Sequence, residues 1–546
     1  MAKEKQVSFK FRRGLNVGQI DATFDTFLRD AFVDVGESSI LADTTSPKCI
    51  VVGRTGAGKT ALLLRLEEIE ERVIRIHPDA LSLQYLSNST MLPQMARAGV
   101  HLEVFYNLLW RHVFIMELIR ARFNLREESG GLSFLEKITT ALGANRAEKA
   151  ALEYYRQWNP KLWETTDVRV REITSTLNER ISTDAGIKAL GVHIGVGGHS
   201  GEDTTQRVQF KERAQAIVNE ITMEHMSVGM DLVKRQVLVD KQKPYFILID
   251  DLDRAWVDAA FAYDLIDALV DTAGEFGKLP NVKIVVALRE DIVDTIHARF
   301  GSLRQQREKH EALFLRLQWT KTQLQSLVDE RVKILLRREY GGEVCLATLF
   351  PPEHPKHGNA IEYAMVRTFD RPRDIIDFVN KCLEVASEIG AVRLSWSVLL
   401  EAERRYSTTR LRSLEDEWLE RFPGIGILFE AFRGAKDGFS FAELEDERLT
   451  RVCIRGEELE SSQPLALPVL AFQMLEIRRP VDIWRMLLPT LVRVGFLGIK
   501  VNPSSQTRFS YETFDLASAT DTDGAVFYFH PAVYAALGIR DPVRGN

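Results

Sequence analysis

Short, unbroken apolar runs alternate with stretches of helical period through the first 320 residues. Residues 48–52, 72–77, 245–249, 282–288 and 313–319 read as strands. The Val/Ile content of 282–288, without polar alternation, suits a strand buried on both faces of a parallel sheet. Helical patterns lie between them, at 61–68, 255–276 and 291–310. Strands alternating with helices predict an α/β sheet. The stretch 101–123 is apolar enough to suggest a membrane span, but Glu103, Arg111, His112 and Glu117 interrupt it. It reads as a long helix buried in protein. The region 80–240 is mostly helical in pattern and long for a connection inside such a core, so it predicts an inserted helical subdomain. Its glycine-rich stretch 191–201 has no Lys-Ser/Thr ending and predicts a loop or hairpin. Phe24, Phe27, Leu28 and Phe32 stand at helical spacing and predict a helical lead.

After Trp319 the pattern turns helical, at 322–338 and 359–389, which reads as a helical lid. From 413 it changes again. Helices at 414–433 and 481–495 precede the segment 495–500, which two strand-like runs at 508–512 and 525–530 and a short helix at 531–537 follow. Helices followed by a β-hairpin predict a winged-helix-like α+β domain. The expected domains are a lead at 1–45, an α/β core at 46–320 with its insertion at about 80–240, a lid at 321–412 and a C-terminal domain at 413–546.

Composition changes this picture little. Charged residues make up 27% of the 546 positions and hydrophobic ones 45%, as in ordinary globular proteins. A formal net charge of −6 gives no global basic field, so nucleic acid would need a local patch. Four cysteines without metal or disulfide spacing suit a reducing, cytoplasmic location.

The chemistry begins at Gly53-Arg54-Thr55-Gly56-Ala57-Gly58-Lys59-Thr60. A strand before it and a helix after it are the context that a G-x-x-x-x-G-K-[ST] phosphate loop needs. Glycines let backbone N–H groups close round phosphate oxygens, and the new helix turns its positive end to the same anion. Lys59 reaches the β- and γ-phosphates, and Thr60 holds Mg²⁺. The second motif is Ile249-Asp250-Asp251-Leu252-Asp253-Arg254 at the end of an apolar strand. Asp250 reads as the Mg²⁺-associated carboxylate. Asp251, one residue farther out, reads as the group that orients or deprotonates the attacking water. Arg289 ends the third strand and reads as a γ-phosphate sensor; Arg254 reads as a finger offered to a neighbouring subunit. Arg371-Pro372-Arg373-Asp374 opens a lid helix, where Pro372 presets the turn, Asp374 caps, and Arg371 and Arg373 reach phosphate. No guanine-reading Asn/Thr-Lys-x-Asp pattern is evident in the core, which favours ATP.

These motifs together resemble bacterial P-loop ATPases of the KAP/STAND-like type, closest to an uncharacterised bacterial "P-loop ATPase" family with a C-terminal winged helix. The resemblance implies an ASCE-type P-loop core, ATP and Mg²⁺ as ligands, and an ATP-hydrolysing switch in a bacterial multi-component system such as anti-phage defence. It implies a protein partner or homo-oligomer and no membrane. The alternative expectation is a DNA-associated ATPase whose winged helix binds duplex DNA. Arg478, Arg479, Arg485, Arg493, Lys500 and Arg508 support it, and the acidic residues at 443–447 and 457–460 oppose it.

Overall fold

The computed structural model describes residues 9–78, 100–124, 151–152, 154–155, 211–212, 215–216, 230–240, 242–253, 259–300, 307–337, 344–444, 446–500, 505–512 and 524–540. Most of the expected insertion, the glycine-rich stretch 191–201 and Arg254 lie outside these residues. The chain divides into two compact units. One, the sheet unit, is Asp34–Arg54 with Gly58–Gln318. The other, the helical unit, is Met1–Val33, Thr55–Ala57 and Trp319–Asn546.

The sheet unit is mixed α/β, built on five parallel strands. These are β1 (Ile50–Gly53), β2 (Val73–Ile76), β3 (Tyr245–Ile249), β4 (Val282–Arg289) and β5 (Phe314–Arg316), in the order β2-β3-β4-β1-β5. Every residue of β1 and β3 is buried, and only Arg289 of β4 is not. Burial on both faces explains the unbroken apolar runs, since no position faces water. β4 separates β1 from β3: Gly53 stands opposite Arg289, and Ile249 opposite Val286. The register therefore brings the carboxyl ends of β1, β3 and β4 side by side.

The long apolar segment forms the helix Glu103–Arg122, with twelve buried residues among its twenty. It packs on the helix Ala259–Phe276, where Trp110 Nε1 donates to the Leu265 carbonyl at 2.8 Å. The Phe114 ring meets Phe276 edge-on at 5.2 Å. Arg111, which interrupts the apolar run, reaches out to Glu275 at 2.8 Å. Among the described residues no helix is long and apolar enough to cross a membrane.

In the helical unit, the helices Lys321–Leu336, Pro372–Glu388, Trp396–Trp418 and Pro480–Arg493 surround one buried core. The pattern at 359–389 splits into Ala360–Met365 and Pro372–Glu388, because proline disfavours helical backbone at the residue before it. The helix Trp396–Trp418 carries more polar than apolar positions, and Glu403, Ser407 and Arg410 are buried in it. A three-stranded sheet closes the unit: β6 (Phe439–Ser440), β7 (Leu497–Lys500) and β8 (Val526–Phe529), ordered β6-β8-β7 and antiparallel. Phe432, Phe439, Phe496 and Phe529 pack their rings together beneath it.

Two expectations are corrected here. Residues 508–512 are not a strand of the hairpin. Arg508 exchanges backbone hydrogen bonds with Ile499 at 2.8 and 2.9 Å, and the chain then turns. The turn lets Tyr511 Oη reach His530 Nε2 at 2.9 Å. The helical lead is also absent over 24–32, which is a run of turns beginning in the short 3-10 helix Ala22–Phe24. The Asp25 carboxylate takes the N–H groups of Gln19 and Phe27, so local side-chain bonding replaces helix propagation. Its other oxygen takes Arg331 Nη2 at 2.7 Å, an ion pair buried on both sides.

Candidate functional site

β1 runs out at Gly53 and the helix Lys59–Ile69 begins six residues later. Between them, Gly56 has φ +78° and Gly58 φ +99°, left-handed conformations that glycine enters without strain. Lys59 folds back over the turn: its Nζ donates to the Gly53 carbonyl at 2.9 Å and the Arg54 carbonyl at 3.2 Å. Burial pulls the ammonium below its ordinary pKa, and the carboxylates of Asp250 and Asp253 oppose that shift.

Thr60 Oγ1 donates to Asp250 Oδ2 at 2.7 Å. This contact joins two motifs 190 positions apart, from the carboxyl ends of β1 and β3 across the intervening β4. Asp250 is 7% exposed, and its second oxygen accepts the Asp251 N–H at 2.9 Å. Asp251 has φ +60°, uncommon for a side-chain-bearing residue. Strain of this kind concentrates at functional sites. A hydroxyl and a buried carboxylate are hard oxygen donors, which suits Mg²⁺. The loop, Lys59 and this oxygen pair therefore fit a magnesium–nucleotide ligand.

Arg289, at the end of β4, does arrive beside the loop's strand. Its guanidinium is held by Asp291, at 2.9 and 3.1 Å, and by Asp253 at 3.5 Å. The charges of Asp253, Arg289 and Asp291 all act on Lys59, so the three motifs form one electrostatic neighbourhood. Arg254 lies outside the described residues.

The tip of the loop, Thr55–Ala57, groups with the helical unit. There Arg371 is 2% exposed and pairs with Asp374 at 2.7 Å and Glu417 at 3.3 Å. Its Nη1 donates to the Thr55 carbonyl at 2.7 Å. The structure thus gives Arg371 a backbone acceptor where sequence reasoning gave it a phosphate. Burial pushes Glu417 up, but Arg371 and Arg410 outweigh it and hold the carboxyl below its ordinary range. The Arg373 N–H faces the Gly56 carbonyl at 3.4 Å, and a Cβ on Gly56 would meet Arg373 Cβ at 2.8 Å. Pro372 does open its helix, with Asp374 in the first turn. Its carboxylate folds back to Arg371 and to the Phe369 N–H at 3.3 Å.

Sequence reasoning missed two participants. Trp319 Nε1 donates to the Ala57 carbonyl at 2.8 Å. Glu417 lies one heptad after Arg410, its partner at 2.7 Å on the same helix, and that spacing was the only available signal.

Residues 322–415 match the FunZ-associated C-terminal helical domain. The chain is also similar to the "Putative transposon gamma-delta 80.3 kDa protein" of Escherichia coli (strain K12), with 22% identity over 503 residues. The alignment covers 89% of this chain and 61% of that protein, so the chain spans about three fifths of its relative's length. Neither comparison carries the KAP or STAND description, and that likeness rests on the motifs alone.

Proposed function

We propose that this protein binds Mg²⁺–ATP at the loop 53–60 and hydrolyses it, acting as an ATP-dependent switch in a multi-component bacterial system. The observation that carries the reading is the 2.7 Å contact of Thr60 with Asp250, beside the half-buried Lys59. The strand order supports an ASCE-type P-loop core, with one strand standing between the loop strand and the carboxylate strand. Mg²⁺, held by Thr60 and Asp250, would neutralise charge on the β- and γ-phosphates. Lys59 supplies a cation that is partly removed from water, where its attraction for phosphate is stronger. Asp251 orients or deprotonates the attacking water, and Arg289 stabilises charge on the transferred phosphoryl group. Isothermal titration tests the site. Lys59→Ala is expected to abolish measurable Mg²⁺–ATP binding, because a phosphate charge then lies uncompensated in the loop. Unchanged affinity and turnover would remove the loop from the mechanism.

A second reading, a DNA-associated ATPase, is favoured by the name of the relative, which refers to a transposon. The helices and three-stranded sheet of 425–540 would serve as a winged helix in that reading. ATPase rates with and without duplex DNA separate the two. Stimulation by DNA supports the second reading, and indifference to DNA leaves the first.

A further inference from the structure

Three successive carbonyls at the loop tip have donors within their own unit. The Thr55 carbonyl takes Arg371 Nη1 at 2.7 Å, the Gly56 carbonyl faces the Arg373 N–H at 3.4 Å, and the Ala57 carbonyl takes Trp319 Nε1 at 2.8 Å. No peptide bond among the described residues is cis. In a planar trans peptide the N–H points opposite to the carbonyl it follows. Anchoring the carbonyls of 55, 56 and 57 therefore turns the N–H groups of Gly56, Ala57 and Gly58 the other way. Among the described residues no acceptor is bonded to any of these three N–H groups. Backbone donors left without a partner are costly unless solvent or a ligand takes them.

We infer that Trp319, Arg371 and Arg373 are positioning residues that hold the loop's N–H groups ready for phosphate. The inference rests on the nucleotide reading above and adds the groups that set its anion cradle. The two arginines do this without touching phosphate. Arg371 is fixed for the task by Asp374 and Glu417, and Glu417 in turn by Arg410. The left-handed φ of Gly56 and the Arg373 Cβ against it leave no room for a side chain at that position.

Trp319→Phe keeps an aromatic ring and removes the indole donor. Its Kd for Mg²⁺–ATP and for inorganic tripolyphosphate should rise by the same factor, roughly 3- to 10-fold for one lost hydrogen bond. The kcat should stay near wild type, because the N–H groups serve ground and transition states alike. The unliganded melting temperature should not move. Arg371→Lys keeps the cation between Asp374 and Glu417 without the planar fork, and should shift both affinities in the same direction. Unchanged affinities in both variants would overturn the inference, as would a fall in kcat and melting temperature with affinity intact. Wild-type protein that binds neither ligand would instead sink the nucleotide reading, and the inference with it.

Discussion

Asp251 combines a carboxylate with a left-handed backbone, and the two set different demands on its substitution. Asn tolerates that conformation and removes only the charge, whereas Ala would add backbone strain. Asp251→Asn is therefore expected to keep Mg²⁺–ATP bound while slowing hydrolysis by at least ~100-fold, the low end for losing a positioned base. Asp250→Asn should weaken Mg²⁺-dependent binding and turnover together, since its oxygens hold Thr60 and the Asp251 N–H. Single-turnover rates beside titration distinguish the two. Normal turnover in Asp251→Asn would move the base elsewhere, to Asp253 or Glu290. At this scale the sequence was readable wherever function imposes a motif. Trp319 was not, because a single indole donor leaves no spacing to detect.

Elements are held together by a buried lysine as well as by apolar contact. Lys283 of β4 is 2% exposed and donates to the carbonyls of Ile40, at 3.0 Å, and Asp43, at 2.5 Å. It thereby caps the end of the helix Glu37–Ala42 with a cation, where the helix dipole favours one. Burial pulls its pKa from the ordinary 10.5 down to about 8. The unfolded chain then binds more protons than the folded one between those values, so stability rises with pH from about 8. Burial pushes the neighbouring Cys49 thiol from 9.0 up to about 12, so its ionisation opposes the trend above pH 9. Urea midpoints of the wild type should increase from pH 7.5 to 9, and Lys283→Met should flatten that rise. A rise of equal size in the variant would assign it to other groups. The strands β1, β3 and β4 were legible as runs that are apolar but for Lys283 and the terminal Arg289, because both their faces are covered. The helix Trp396–Trp418 was missed beyond its end, because its buried face includes Glu403, Ser407 and Arg410 and so lacks a clean apolar period. The two-residue β6 is too short to leave any pattern.

Taken as a whole molecule, the described residues form two hydrophobic cores, one in each unit. Separate cores melt separately unless the contacts joining them are extensive. Calorimetry should resolve two transitions, and on the proposed nucleotide reading the one of the sheet unit, which holds Lys59, Thr60 and Asp250, responds to ligand. Mg²⁺–ATP at 100 times its Kd should stabilise that transition by about 2.7 kcal/mol. A single transition would mean one cooperative fold. The helical unit also draws on distant parts of the chain. Val17 donates to Asn380 Oδ1 across 363 positions, and Phe9, Phe11 and Val17 are buried in its core. On the ribosome this has a cost in time. At 5–20 residues per second, the segment around Val17 waits roughly 20 to 70 seconds for Asn380 to be made. Until then Phe9 and Phe11 lack the core that covers them in the native fold, so the newborn N-terminal segment is expected to expose apolar surface during synthesis.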